Sequence, residues 1–331
     1  MAYVAEISDR LQVLAHGRPG HIIDRLIAER GGRLVAHPAW PVMRPFLYAT
    51  LKYGAAVRMA DAIGTMSGHE AFRHLSDILK LDIQSRGQER IPKKGGFLLV
   101  ANHPTGIADG VAMYDFLSRH RPDMMIFANR DAVRVSPRFN EIIIPVEWRD
   151  DYKSRDKTRE TLQLTNRAVQ DGKATVLFPS GRIAFWHEGR LTERPWKLSA
   201  VTLAKRHELP VVPVNISARN SGLFYWLSKH STELRDMTVF HELLNKKHHT
   251  FRFTVGEPIM PDALDGDPAE AVRALEYHTV HGLAKDADRA FELGAEGLEP
   301  GSLSRKALET FHQRFLTARD GPGLTACLDP E

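Results

Sequence analysis

The sequence predicts an α/β protein: a mostly parallel central sheet covered by helices on both faces, with helical N- and C-terminal extensions. Three observations carry this. From about residue 96 onward, short apolar runs recur: FLLVAN, MMIFAN, EIIIPVEW, ATVLFPS, LPVVPVNIS and FRFTVGEPI. The segments between several of them are amphipathic and long enough for crossover helices. The runs are near-continuously apolar rather than alternating, as strands buried on both faces are.

Taken in order, residues 1–90 read as a helical extension with no convincing strand. Within it, residues 40–66 (WPVMRPFLYATLKYGAAVRMADAIGTM) read as one amphipathic helix with aromatic and Met residues on one side and basic residues on the other. Such a helix packs on its own domain or lies on a membrane surface. The α/β core covers 91–262. FLLVAN opens it, GVAMYDFLSRH leads to MMIFAN and EIIIPVEW, SRDKTRETLQLTNRAVQDG to ATVLFPS, and PWKLSAVTLAKRHE to LPVVPVNIS. Residues 263–331 return to helix. Asp267 and Pro268 start one segment, and LSRKALETFHQRFL is another.

Composition excludes several classes. With 331 residues, 43% hydrophobic and 26% charged, the chain can bury a sizeable core and is not broadly disordered. Charges within the first ten residues argue against a secretory signal. The single cysteine, Cys327, rules out an intrachain disulfide or a Cys-based metal cluster. No run of about 18 uninterrupted apolar residues predicts a spanning helix. A cytoplasmic protein, associated peripherally with the inner face of the membrane, is the expectation. The net charge of +4 suits an anionic partner such as a phospholipid surface or an acidic carrier protein. No nucleic-acid-binding signature is present.

Candidate chemistry lies at strand ends, where active-site groups of such sheets collect. His103 and Asp109 follow FLLVAN directly, and Pro104 and Gly106 let the chain double back between them. A carboxylate on one ring nitrogen fixes the tautomer of an imidazole that must take a proton from a hydroxyl. The same fragment also fits a polar surface turn. In VLFPSGRIAFW, Pro179 and Gly181 make a turn with exposed backbone N–H groups, and Arg182 adds a fork suited to phosphate or carboxylate. Arg149 closes another strand and reads as a second anion contact or a solvated charge. Phe185 and Trp186 read as core packing or as a wall for an acyl chain. His241, His248 and His249, with Lys246 and Lys247 among them, lack metal-ligand spacing and read as a solvated basic helix end.

Together and in this order, these blocks resemble the glycerolipid acyltransferase superfamily, of the lysophosphatidic-acid type. Asn102-His103 followed by Asp109 is similar to its Asn-His…Asp block, FPSG to its Phe-Pro-Glu-Gly block, LPVVPVNI to its late Val-Pro-Val strand, and VGEPI with Pro261 to the end of the domain. The resemblance covers residues 96–261. Arg219, Asn220, Ser221, Leu223, Phe224 and Tyr225 look most like the hemolysin-like, lyso-ornithine-lipid acyltransferase branch. Two departures stand out: the His-to-Asp loop is one residue longer than the family's usual spacing, and Ser180 replaces the glutamate, with Arg182 one position early.

The resemblance implies acyl transfer from a thioester, on acyl carrier protein or coenzyme A, to a lysolipid hydroxyl, with His103 as general base and Asp109 orienting it. It implies substrate contacts at Asn102, Arg149, Pro179, Ser180, Gly181 and Arg182, an anionic membrane surface as partner, and no metal or cofactor beyond the acyl co-substrate. Phosphatidic and ornithine headgroups both remain open as acceptors. Two rivals are an esterase using Ser180 as nucleophile, for which the Gly-x-Ser-x-Gly elbow is absent, and a lytic membrane-binding protein.

Overall fold

The computed structural model describes residues 17–147, 149 and 152–294. Cys327, the LSRKALETFHQRFL segment and most of the N-terminal stretch weighed as a signal lie outside the described residues. Four helices come first: α1 (Ile22–Val35), α2 (Trp40–Thr50), α3 (Tyr53–Ile63) and α4 (Gly68–Leu79). The single helix expected over 40–66 is therefore two. The break falls at Leu51 and Lys52, and Lys52 adopts φ 54°, a left-handed conformation that no continuous helix accommodates. Trp40, Tyr48, Tyr53, Val57 and Ala60 pack with Ile23 and Ile27 of α1 into a small core of their own.

The remaining elements are β1 (Asp82–Arg86), β2 (Phe97–Ala101), α5 (Ile107–Leu117), β3 (Met125–Asn129), α6 (Asp131–Val135), β4 (Ile143–Val146), α7 (Arg155–Gln170), β5 (Ala174–Leu177), β6 (Phe185–His187), β7 (Arg190–Thr192), α8 (Ser199–Arg206), β8 (Val211–Ser217), α9 (Gly222–His230), α10 (Thr232–Met237), α11 (Val239–Leu244), β9 (Thr250–Val255), α12 (Pro268–Tyr277) and the short α13 (Leu283–Lys285). The central sheet has seven strands in the order β1-β9-β8-β2-β5-β3-β4. Every pairing in it is parallel except β8 with β9. β6 and β7 form a separate two-stranded hairpin.

All six apolar runs are strands. In β2 every residue is buried: Leu98 and Val100 face the core under α8 and α12, while Phe97, Leu99 and Ala101 face the core under α4 and α5. That two-sided burial is why the run is continuously apolar. β1 corrects the expectation that residues 1–90 hold no strand: four of its five residues, DIQSR, are exposed, and it pairs parallel with β9 at the sheet edge. Among the described residues no helix is long and apolar enough to cross a membrane.

The sheet places three exits side by side. β2 is flanked by β5, with Val100 opposite Leu177, and by β8, with Ala101 opposite Val214. Residues 102–109, 178–182 and 218–222 therefore leave the same end of three adjacent strands, the carboxyl end at which α/β sheets carry their sites.

Candidate active site

Asp109 sits in the first turn of α5 and is fully buried. Its carboxylate is held by the loop it closes: Oδ2 accepts the backbone N–H of Thr105 at 2.8 Å and of Gly106 at 2.9 Å, and Oδ1 accepts the Thr105 hydroxyl at 2.5 Å. Donation to an ionised acceptor makes these strong bonds, and the helix N-terminus favours the charge. Gly106 permits the loop by adopting φ 87°, with Ile183 packed so close that a Cβ there would lie 2.6 Å from its Cδ1.

His103 Nδ1 lies 3.0 Å from Asp109 Oδ2. The approach is bent: the distance is that of a hydrogen bond, but the ring N–H is not aimed within hydrogen-bonding limits. Catalytic pairs often tighten only when substrate binds. The imidazole stacks on Phe178 at 4.4 Å between centroids and keeps 18% of its side-chain surface exposed. With Nδ1 turned to the carboxylate, Nε2 is the nitrogen left to take a proton. Both backbone groups of His103 are also fixed: its carbonyl accepts from Ala184 N–H at 2.9 Å, and its N–H donates to Glu193 Oε2 at 3.1 Å.

The structure distributes the other expected site residues unevenly. Pro179, Ser180 and Gly181 form the turn at the neighbouring exit, with Gly181 N–H donating to Phe178 O at 2.9 Å and φ 62° at Gly181. Ser180 is buried and its hydroxyl donates to the Arg182 carbonyl at 2.9 Å. Arg182 follows on the same turn, partly exposed. The Asn102 amide is engaged by the Ile216 backbone of β8. Arg149 is not brought to the dyad: it follows β4, three strands from β2 across the sheet, where it meets Glu29 at 3.0 Å, Glu147 at 3.1 Å and Asp131 at 3.2 Å. Hydrogen bonds from Arg134 first, and from Arg149, pull the Glu29 carboxyl down to about 2.

Sequence reasoning gave Thr105 and Glu242 no role, and it named Asn220 and Ser221 only for their resemblance to one branch. Thr105 supplies two of the Asp109 donors, and Asn220 Nδ2 donates to the Thr105 carbonyl at 3.3 Å. The Ser221 N–H and hydroxyl both reach Glu242, which also pairs with Lys246 at 2.9 Å. Lys246 is itself buried, which corrects its reading as part of a solvated basic end; its ammonium was withdrawn into the ion pair with Glu242. Trp186 is not core: it lies on the hairpin, about a third exposed, against Tyr225 at 5.6 Å.

An α/β sheet that sets a histidine beside a buried carboxylate at the exit of its central strand is an arrangement suited chemically to moving a proton. Residues 82–217 match the protein-family model described as Acyltransferase. The chain is 25% identical over 212 residues to a lyso-glycine lipid O-acyltransferase of Bacteroides thetaiotaomicron, covering 61% of this chain and 76% of that protein. It is 25% identical over 189 residues to one of Phocaeicola vulgatus, covering 55% and 66%. The crystal structure of the 1-acyl-sn-glycerophosphate acyltransferase PlsC from Thermotoga maritima superposes with a TM-score of 0.43 at 16% identity, over 80% of this chain and 97% of that one. Over residues 82–217 the chain is similar to acyltransferases, with lipid O-acyltransferases among its relatives.

Proposed function

We propose that this protein transfers a fatty acyl group from a thioester, on acyl carrier protein or coenzyme A, to the hydroxyl of a lysolipid. The observation that carries the mechanism is the 3.0 Å approach of His103 Nδ1 to a fully buried, fully hydrogen-bonded Asp109. His103 Nε2 takes the hydroxyl proton as the oxygen attacks the thioester carbonyl, and Asp109 stabilises the imidazolium. The C–S bond breaks, and the imidazolium returns the proton to the departing thiolate, so no acyl-enzyme forms. Pro179 has no N–H and that of Gly181 is bonded to Phe178 O, so the Ser180 N–H is the turn's candidate donor to the oxyanion. Arg182 is the candidate contact for an anionic group of acceptor or donor.

The names of the two curated relatives favour an amino-acid lysolipid as acceptor over lysophosphatidic acid. The loss of the turn glutamate at Ser180 agrees with a changed acceptor. Exposed apolar side chains support a bilayer-facing surface: Val42 and Phe46 of α2 are 70% and 74% exposed, and Trp226 of α9 is 58% exposed. On this reading the protein works at the inner face of the membrane.

The test is acyl transfer from radiolabelled acyl carrier protein and acyl coenzyme A to a panel of glycine, ornithine and phosphate lysolipids, with wild type beside His103→Ala. Labelling of one lysolipid that disappears in the variant supports the reading and identifies the acceptor. Release of free fatty acid that requires Ser180 would replace it with the esterase.

A further inference from the structure

The turn after β5 carries Ser180 where the resembling block carries glutamate, and the fold brings a different carboxyl group to it. Glu193 follows β7 directly and points back toward the dyad. Its Oε2 accepts the His103 N–H at 3.1 Å, and the Ser180 side chain also reaches its carboxyl group. A serine hydroxyl has one proton, and that of Ser180 goes to the Arg182 carbonyl. Oε1 of Glu193 is thereby buried without a donor. A carboxylate left in that state is costly. The undissociated acid removes the problem, because its O–H donates while Ser180 Oγ still has lone pairs to accept.

We propose that Glu193 is a positioning residue for the acyl transfer inferred above, acting as an undissociated acid that ties the His103 exit of β2 to the Ser180 turn. It sets the distance between the base and the donor-bearing turn without touching substrate. Burial, with Asp109 adding to it against the opposing pull of the Ser180 and His103 bonds, raises its acid to about 7. The charged groups facing it are His103 and Asp109; its neighbour Arg194 feels the charges of Arg182 on the turn and of Arg235 and Asp236 on α10, and Lys197 lies near Gly181. When Glu193 ionises, the donor at hand is the Ser180 hydroxyl, which must leave the Arg182 carbonyl. The turn loses that bond, and kcat falls on the alkaline side.

The experiment has two arms, and the inference rests on the proposed transfer activity in only one. In the first, infrared difference spectra of wild type minus Glu193→Gln are taken without substrate. A carboxylic-acid C=O band present near pH 6 and gone by pH 9 is expected; its absence at pH 6 overturns the proposal. In the second, kcat and KM are followed against pH. Glu193→Gln, whose amide donates to Ser180 Oγ and accepts from His103 N–H, is expected to stay within about threefold of wild type at pH 6 and to lose the alkaline fall, leaving the ascending limb of the base. Glu193→Ala is expected to lose about 10²-fold in kcat at unchanged KM. A Glu193→Gln profile that keeps the alkaline fall, or a folded Glu193→Gln inactive across the range, overturns the proposal. If Glu193→Ala fails to fold by circular dichroism, Glu193→Gln and the infrared arm decide. Wild type that transfers to no acceptor overturns the function reading and leaves the infrared result to judge Glu193.

Discussion

Both ends of the Asn102 side-chain amide are held by Ile216: Nδ2 donates to its carbonyl at 2.9 Å, and Oδ1 accepts its N–H at 2.6 Å. Asn102 is thus a clamp between the central strand and β8, and it sets where His103 leaves the sheet. Asn102→Ala strips two buried backbone groups of their partners and is expected to cost about 2–4 kcal/mol, read as a lowered urea midpoint at unchanged slope. The rate should fall with it, because the displaced residue is the proposed base.

Replacing Asp109 separates charge from shape. Asp109→Asn turns an NH2 group toward donors of Thr105, Gly106 or His103 and removes the charge that the imidazolium needs. A loss of about 10²–10⁴-fold in kcat is expected. Because the two groups act as one unit, the double variant with His103→Ala should be little worse than His103→Ala alone. Additive losses in that kinetic comparison would show that the pair does not function together.

Gly106 is constrained twice, by φ 87° and by Ile183 at 2.6 Å from any added Cβ. Gly106→Ala is expected to lose about 1–3 kcal/mol of stability and most of its activity, since the shifted N–H is an Asp109 donor. Thermal unfolding and kcat measured on one preparation check both; wild-type activity would mean that the loop adapts.

His278 is buried with Nδ1 unpartnered, and burial holds its pKa down to about 4. The unfolded imidazole titrates near 6.5, so between these values the unfolded chain binds the extra proton. Stability is therefore full above about pH 6.5 and is lost as the pH falls toward 4, by about 3 kcal/mol from this group. His278→Phe is expected to flatten that limb of the urea-midpoint profile, and an unchanged acid limb would assign it to other groups.

The legible parts of this protein are those whose physics is local. Strands β2, β3, β4, β5, β8 and β9 show as apolar runs because most of their side chains are buried on both faces. β1 does not, because an edge strand with DIQSR exposed is held by backbone bonds to β9 rather than by burial. The approach of His103 to Asp109 is legible because one loop carries both residues. Arg149 looks like an anion contact because two of its three carboxylate partners lie well before it in the chain, Glu29 being 120 residues away. Glu193 carries no signal at all, since only the hairpin's return brings it to His103.

The register of β1 also has a temporal consequence. Asp82 lies opposite Thr250, 168 residues later, and β9 is wedged between β1 and β8. During synthesis the chain must hold β1 unpaired until most of the sheet has left the ribosome, while β8 waits with an open edge for the same strand. Nascent chains stopped before residue 250 would expose two unsatisfied strand edges and tend to self-associate. Completion of one late strand seals both, so β1 can take its place in the sheet only after β9 has been made.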